Sequence, residues 1–154
     1  MAEDTAFLQR MLYEAVNTRP GKTWSDFEAS MSEPRNRRFW IAWGRDGDLG
    51  VVAEYGRRAI GAAWIRRFDG DDLGPVDDPS IPVMAIGVEG DHRSVGIGGL
   101  LLDGLIASAR LAKVEVIALT TNTWNEAALR LYARRGFEES SRHDVTVRMH
   151  LRLS

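Results

Sequence analysis

Two stretches of the chain combine chemically useful residue types with spacings that focus them. The first, EGDHRSVGIGGLLL at 89–102, sets Gly96, Gly98 and Gly99 between an apolar run, VMAIGV at 83–88, and a run of leucines. Glycine at this density lets backbone turn, or come close to something, where a side chain would clash. A helix beginning near Ile97 leaves its first N–H groups without internal partners, at the positive end of its dipole. Such a terminus binds phosphate or pyrophosphate, and Arg93 adds a formal charge beside it. The second stretch, NEAALRLYARRGF at 125–137, brings Asn125, Ala128, Leu129 and Tyr132 to one helix face before Gly136 ends the helix. Tyr132 thereby sets a phenol, with a reference pKa of about 10, on that face.

Better-known phosphate and metal motifs are excluded residue by residue. A dinucleotide fingerprint needs a third glycine where Leu101 stands, and a Walker loop needs Lys then Ser or Thr where Leu100 and Leu101 stand. In the acidic loop DGDDLGPVDDPSIP (69–82), Asp69, Asp71 and Gly74 fit a calcium loop. Leu73 at a ligand position and Ser80 in place of the closing Glu do not. The chain has no cysteine, so disulfides, thiolate metal sites and a Cys nucleophile are absent. His92, His143 and His150 have no helical metal-ligand spacing.

Together, Arg93-x-x-Gly96-x-Gly98 after one apolar strand and Asn125-x-x-Ala128-x-x-Leu131-Tyr132-x-x-x-Gly136-Phe137 after the next resemble the GNAT superfamily of acyl-CoA-dependent N-acetyltransferases. The resemblance covers residues 83–137 at least. It implies that the CoA pyrophosphate is held by the turn Arg93, Ser94, Val95, Gly96, Ile97, Gly98 and Gly99. It implies that the pantetheine arm pairs with backbone at Ile86, Gly87 and Val88, where a parallel strand pair splays apart. Asn125 then lies beside the arm, and Tyr132 contacts the cofactor and serves as general acid toward the leaving thiolate. The implied cosubstrate is acetyl-CoA, without a metal, and the implied acceptor is a primary amine of a small molecule or a protein. With no cysteine, the amine attacks the thioester directly rather than through an acyl-enzyme. A CoA-binding sensor or partner domain without turnover is the alternative reading. Homodimers are common among proteins resembling this one. The general base stays unassigned between Glu89, Glu54 and water leading to the acidic loop.

Positioning these groups requires a particular order of elements. Helical spacing covers 4–18, with Asp4 as cap and Pro20-Gly21 as stop; a second short helix follows Thr23, with Asp26 three residues on as in a capping box; a third follows Pro34 and carries Phe39, Trp40 and Trp43. Strands are expected at 49–55 and 59–68 as a hairpin, then at 83–88, 114–121, 137–140 and 145–153. Helices run from about Ile97 to Ala112 and from Asn125 to Arg135. The fold class is α/β: a mixed, mainly antiparallel sheet with one splayed parallel pair and helices on both faces, in one domain spanning 1–154. The short edge strand that usually opens such proteins is expected to be missing or vestigial here.

Bulk properties agree with a soluble, cytoplasmic protein. Of 154 residues, 44% are hydrophobic and 27% charged, and the net charge of -2 argues against a general nucleic-acid partner. The basic cluster Arg35, Arg37 and Arg38 reads as a solvated helix face. No apolar run is long enough for a membrane span, and MAEDTAFLQR lacks signal-peptide character. For the acceptor, Trp24, Trp40 and Trp43 with Asp69, Asp71, Asp72, Asp77 and Asp78 suggest a cationic amine steered into a partly aromatic cleft.

Overall fold

Apolar residues at helical spacing, Leu8, Met11 and Leu12, build α1 (Ala2–Val16) and turn one face into the protein interior. A computed structural model of the chain describes residues 2–17, 21, 23–68, 78–93 and 95–153. Asp4 lies inside the first turn of α1 rather than capping it, and the expected stop at Pro20 lies outside the described residues. Asp26, not Thr23, caps α2 (Phe27–Ser32), its carboxylate accepting from the Ala29 N–H at 2.9 Å. α3 is a single turn (Pro34–Arg37) and stops before the three aromatic residues expected on it.

Arg66 explains why α3 is short. Its side chain is fully buried and pairs with Asp48 through two bonds of 3.1 and 2.7 Å. The same guanidinium donates to the carbonyls of Arg38 (3.0 Å), Ile41 (2.7 Å) and Ala42 (3.4 Å). Carbonyls that would extend a helix are thus gathered around one cation, and residues 38–42 form turns.

The remaining elements follow the sequence pattern closely. β1 (Leu49–Tyr55) and β2 (Arg58–Arg66) form a hairpin; then come β3 (Val83–Val88), a 3₁₀ turn (Gly90–His92), α4 (Ile97–Leu111), β4 (Val116–Asn122), α5 (Glu126–Arg134), β5 (Glu138–His143) and β6 (Thr146–Arg152). The six strands form one sheet in the order β1-β2-β3-β4-β6-β5. All neighbours are antiparallel except β3 and β4. No strand precedes α1 among the described residues.

Strand alternation sorts two cores onto the two faces of the sheet. On one face, Leu102, Leu105 and Ala109 of α4 and Tyr132 of α5 pack on Ala63, Ile65, Ile117, Leu119, Val147 and Met149. On the other, Leu8, Met11, Leu12 and Met31 cover Ala62, Trp64 and Ala85. α1 sits unusually close to β3. A Cβ at Gly87 would stand 2.0 Å from the carbonyl oxygen of Met11, so only glycine permits this contact.

Gly87→Ala should therefore force α1 off the sheet and lower stability by about 3 kcal/mol. Gly90→Ala, with nothing within 4 Å of the added methyl, should change it by less than about 0.5 kcal/mol. Chemical denaturation of the two variants checks the contrast.

Candidate active site

The parallel pair is joined at one point and then opens. Val83 is opposite Ala118, and the Ala118 N–H donates to the Pro82 carbonyl at 3.0 Å; no later residues of β3 and β4 pair. Neighbouring bonds tell which backbone groups face the gap. The Glu89 N–H donates to Ile60 O, so odd-numbered residues of β3 aim their main-chain groups at β2. Those of Met84, Ile86 and Val88 therefore aim at β4. Likewise Thr123 N–H bonds Val145 O and Leu153 N–H bonds Glu115 O, which turns the main chain of Thr120 and Asn122 toward β3. Two of these acceptors are already used: Asn122 O takes the Asn125 N–H, and Val88 O takes Arg93 Nε, both at 3.0 Å. The rest form a strand edge that an amide-bearing arm can satisfy.

This gap is the core of a cleft of about 830 Å³, within the range of small-molecule sites. Met84 to Val88 and Leu119 to Asn122 form its walls, α5 contributes Asn125, Ala128, Leu131 and Tyr132, and Gly96, Gly98 and Gly99 close one end. Ile86, Gly87, Val88, Arg93, Asn125 and Tyr132, all expected from the sequence, line it. Val95 is exposed beside it, Ile97 begins α4, and Ser94 lies outside the described residues.

The three glycines of the turn differ in their surroundings. Gly96 adopts φ +90° at the N-cap of α4, with no side-chain cap and open space where a Cβ would stand. The first N–H donors of α4 are thus left to a ligand. Gly98 and Gly99 line the cleft; a Cβ at Gly98 would make an ordinary contact with Leu131 at 3.5 Å, and one at Gly99 would stand 2.6 Å from the flexible end of the Arg135 side chain. Arg135, which pairs with Asp103 at 2.9 Å, thus lies at this helix terminus. The sequence pattern did not single it out, because its proximity comes from tertiary packing.

Arg93 does more than offer charge. It donates to Val88 O, to Glu14 O (2.9 Å) and to the Glu14 carboxylate (2.7 Å), tying the end of β3 to α1. Burial raises the Glu14 carboxyl above its ordinary range, against the pull of Arg93, and Glu89 and Asp91 push it the same way. Asn125 is also occupied: its Oδ1 accepts from the Ala128 N–H at 3.3 Å as the cap of α5. The His92 ring rests against Tyr55.

Tyr132 comes to the cleft from α5, 7% exposed, with its ring against Phe137. Burial pushes its phenol up to about 12. The group stays protonated across the physiological range and is a weaker acid than an ordinary tyrosine.

Several expectations for the acceptor end change. Trp40 donates its indole N–H to Met31 O, and Trp43 lies under the Arg66 guanidinium; both pack against the core on the α1 face. Trp24 stands edge-on to Tyr13. Among the described residues, Phe39 and Trp124 join Tyr132 as the aromatic side chains on the cleft. Asp69, Asp71, Asp72 and Asp77 lie outside the described residues, and Asp78 is exposed and bonded to Ser80. Glu54 is exposed on the edge strand β1 and Glu89 pairs with Arg58; neither lines the cleft. Among the described residues the lining carboxylate is Glu33, paired with Arg35 at 2.9 Å. Arg35 and Arg37 are exposed as expected, but Arg38 is half-buried, stacked over Phe39 and Phe68, and lines the cleft. Among the described residues, no helix is long and apolar enough to cross a membrane.

Comparison with known proteins gives one family. Residues 10–137 match the model of the acetyltransferase (GNAT) family. The chain is 31% identical over 109 residues to a mycothiol acetyltransferase of Geodermatophilus obscurus, covering 71% of this chain and 30% of that protein. It is 33% identical over 113 residues to N-alpha-acetyltransferase 60 of Danio rerio, covering 68% of this chain and 45% of that one. The chain thus spans less than half the length of these curated relatives. Among solved structures, a ribosomal-protein-alanine N-acetyltransferase from Brucella melitensis superposes with a TM-score of 0.69 at 26% identity, covering 99% of this chain and 96% of that one. The Salmonella typhimurium protein yncA, solved with its cofactor acetyl-CoA, shares the fold at 20% identity and a TM-score of 0.73, covering 100% and 91%.

Phenolate absorbance in an alkaline titration of the native protein should include a late component near pH 12. Tyr132→Phe should remove that component; loss instead of one titrating near the reference value of about 10 would contradict the burial of this phenol.

Proposed function

The chain belongs to the GNAT acetyltransferase family, and on that premise we propose that it transfers an acetyl group from acetyl-CoA to a primary amine by direct attack. One observation carries the reading: a parallel strand pair that parts after Val83–Ala118, with an uncapped helix terminus at one end of the gap and Tyr132 on its wall. We assign the cofactor arm to the gap-facing backbone of Met84, Ile86 and Val88, and the pyrophosphate to the N–H groups of Ile97, Gly98 and Gly99. Arg93 and Arg135 contribute positive potential there while remaining paired with Glu14 and Asp103.

In this reading the amine nitrogen attacks the thioester carbonyl carbon, the C–S bond breaks, and the hydroxyl of Tyr132 serves the departing sulfur. A phenol near 12 and a thiol near 8.5 make full proton transfer in water uphill by about 5 kcal/mol. Tyr132 therefore acts first as a hydrogen-bond donor to the charge developing on sulfur, and its proton follows as that charge grows in a dry site; the proton shed by the acylated nitrogen then restores the phenol. An alkyl ammonium must lose a proton before attack. No carboxylate on the gap-facing positions of β3 or β4 is available to take it, so we assign this step to water at the open end of the cleft.

Thiol release from acetyl-CoA across a panel of amines tests the reaction. Tyr132→Phe should lower kcat about 100-fold and leave CoA affinity within about twofold. Full activity in that variant would remove Tyr132 from the mechanism, and CoA binding without turnover of any amine would leave a binding domain.

A further inference from the structure

The acceptor end of the cleft carries a charge pattern that the acetyl-transfer reading does not explain. Beside the main cleft lies a second cavity of about 310 Å³, lined by Arg38, Phe39, Val83, Met84, Thr120, Thr146 and Arg148. It is continuous with the cleft, because Arg38, Phe39, Met84, Thr120 and Thr146 line both. Its charged side chains are two arginines, and no carboxylate lines it among the described residues.

Strand alternation places this cavity opposite Tyr132. Val147 and Met149 point into the core that contains Tyr132, so Arg148 between them points to the other face of the sheet. Thr120 is directly opposite Arg148 in the β4–β6 register, and Thr146 lies two residues along the same face. The gap between β3 and β4 opens onto both faces at this level. An acceptor seated among the arginines therefore faces the gap from the side away from α5.

The two arginines are held differently. Arg38 is fixed by stacking over Phe39 (5.6 Å) and Phe68 (5.1 Å), and its carbonyl is bonded by Arg66. Arg148 is exposed, and its guanidinium has no ion pair or hydrogen bond among the described residues. A bare ammonium entering this cavity would meet two positive charges. An amine that also carries an anion would place that anion between them, with the Thr120 and Thr146 hydroxyls as further donors.

From this arrangement, and resting on the acetyl-transfer reading above, we propose that the acceptor is a small amine bearing a carboxylate, of the free α-amino acid class, with the carboxylate held between Arg38 and Arg148. Arg148 is then a specificity-determining residue: it selects the acid form of the acceptor over the neutral amide.

The test reads binding separately from turnover. Thermal shifts of the CoA-loaded protein are measured with the standard α-amino acids and with their carboxamides. At least one free acid should raise Tm while its amide does not, an affinity difference of about 10-fold or more. Arg148→Gln should bring the acid-to-amide ratio close to one, and Arg148→Lys should restore part of it. Arg148 is exposed, so the unliganded Tm of both variants serves as the folding control. Equal shifts from acids and amides, no shift from any of them, or undiminished discrimination in Arg148→Gln overturns the proposal. Thiol release with amino acid amides or peptide amines as rapid as with acids would preserve acetyl transfer while overturning the acidic acceptor. Failure of every amine in that assay, with the acid-selective shift intact, would instead count against acetyl transfer.

Discussion

The active cleft depends on one constraint: two parallel strands that share a single backbone contact and are each held more firmly by their other neighbour. β3 pairs with β2 along its whole length, and β4 with β6 along its whole length. Between them stands only the Val83–Ala118 contact. Closing the gap would require β3, carried by its ladder to β2, and β4, carried by its ladder to β6, to move toward each other with their neighbours. α1 reinforces the separation, since its Met11 carbonyl rests on Gly87 and Arg93 ties Glu14 to the end of β3. The unpaired groups of β3 and β4 are a cost of the fold that a ligand with peptide-like amides offsets.

A second buried device shapes the other side of the cleft. Arg66 collects Asp48 and three carbonyls from the chain after α3, and so fixes where Arg38 and Phe39 stand. The ion pair is fully desolvated, with side-chain exposures of 0% and 4%. Its worth lies in specifying this loop rather than in net stability, since desolvation cancels much of the attraction between buried charges. One face of the sheet thus supplies a buried phenol and an uncapped helix terminus, and the other supplies arginines.

Legibility in the sequence followed the range of the interactions. The run VMAIGV gave β3 to the residue, and the glycines before the leucines placed the start of α4 at Ile97. Both rest on local spacing. The splay itself came from resemblance rather than from pattern, because nothing local to β3 or β4 reports how far apart they lie. Helical periodicity also carried α3 too far, since the buried Arg66 is remote in sequence and diverts the carbonyls. Arg38 and Arg148 were indistinguishable from solvated surface charges until the turn and the β4–β6 register brought them to one cavity.

Amide hydrogen exchange with and without CoA tests the central claim, that the gap between β3 and β4 holds the cofactor arm, more directly than any activity. CoA should slow exchange at Ile86 and Val88 and at Ile97 to Gly99, and leave the β5–β6 hairpin unchanged. Saturating CoA that protects neither β3 nor the first turn of α4, or protects the hairpin instead, would contradict it.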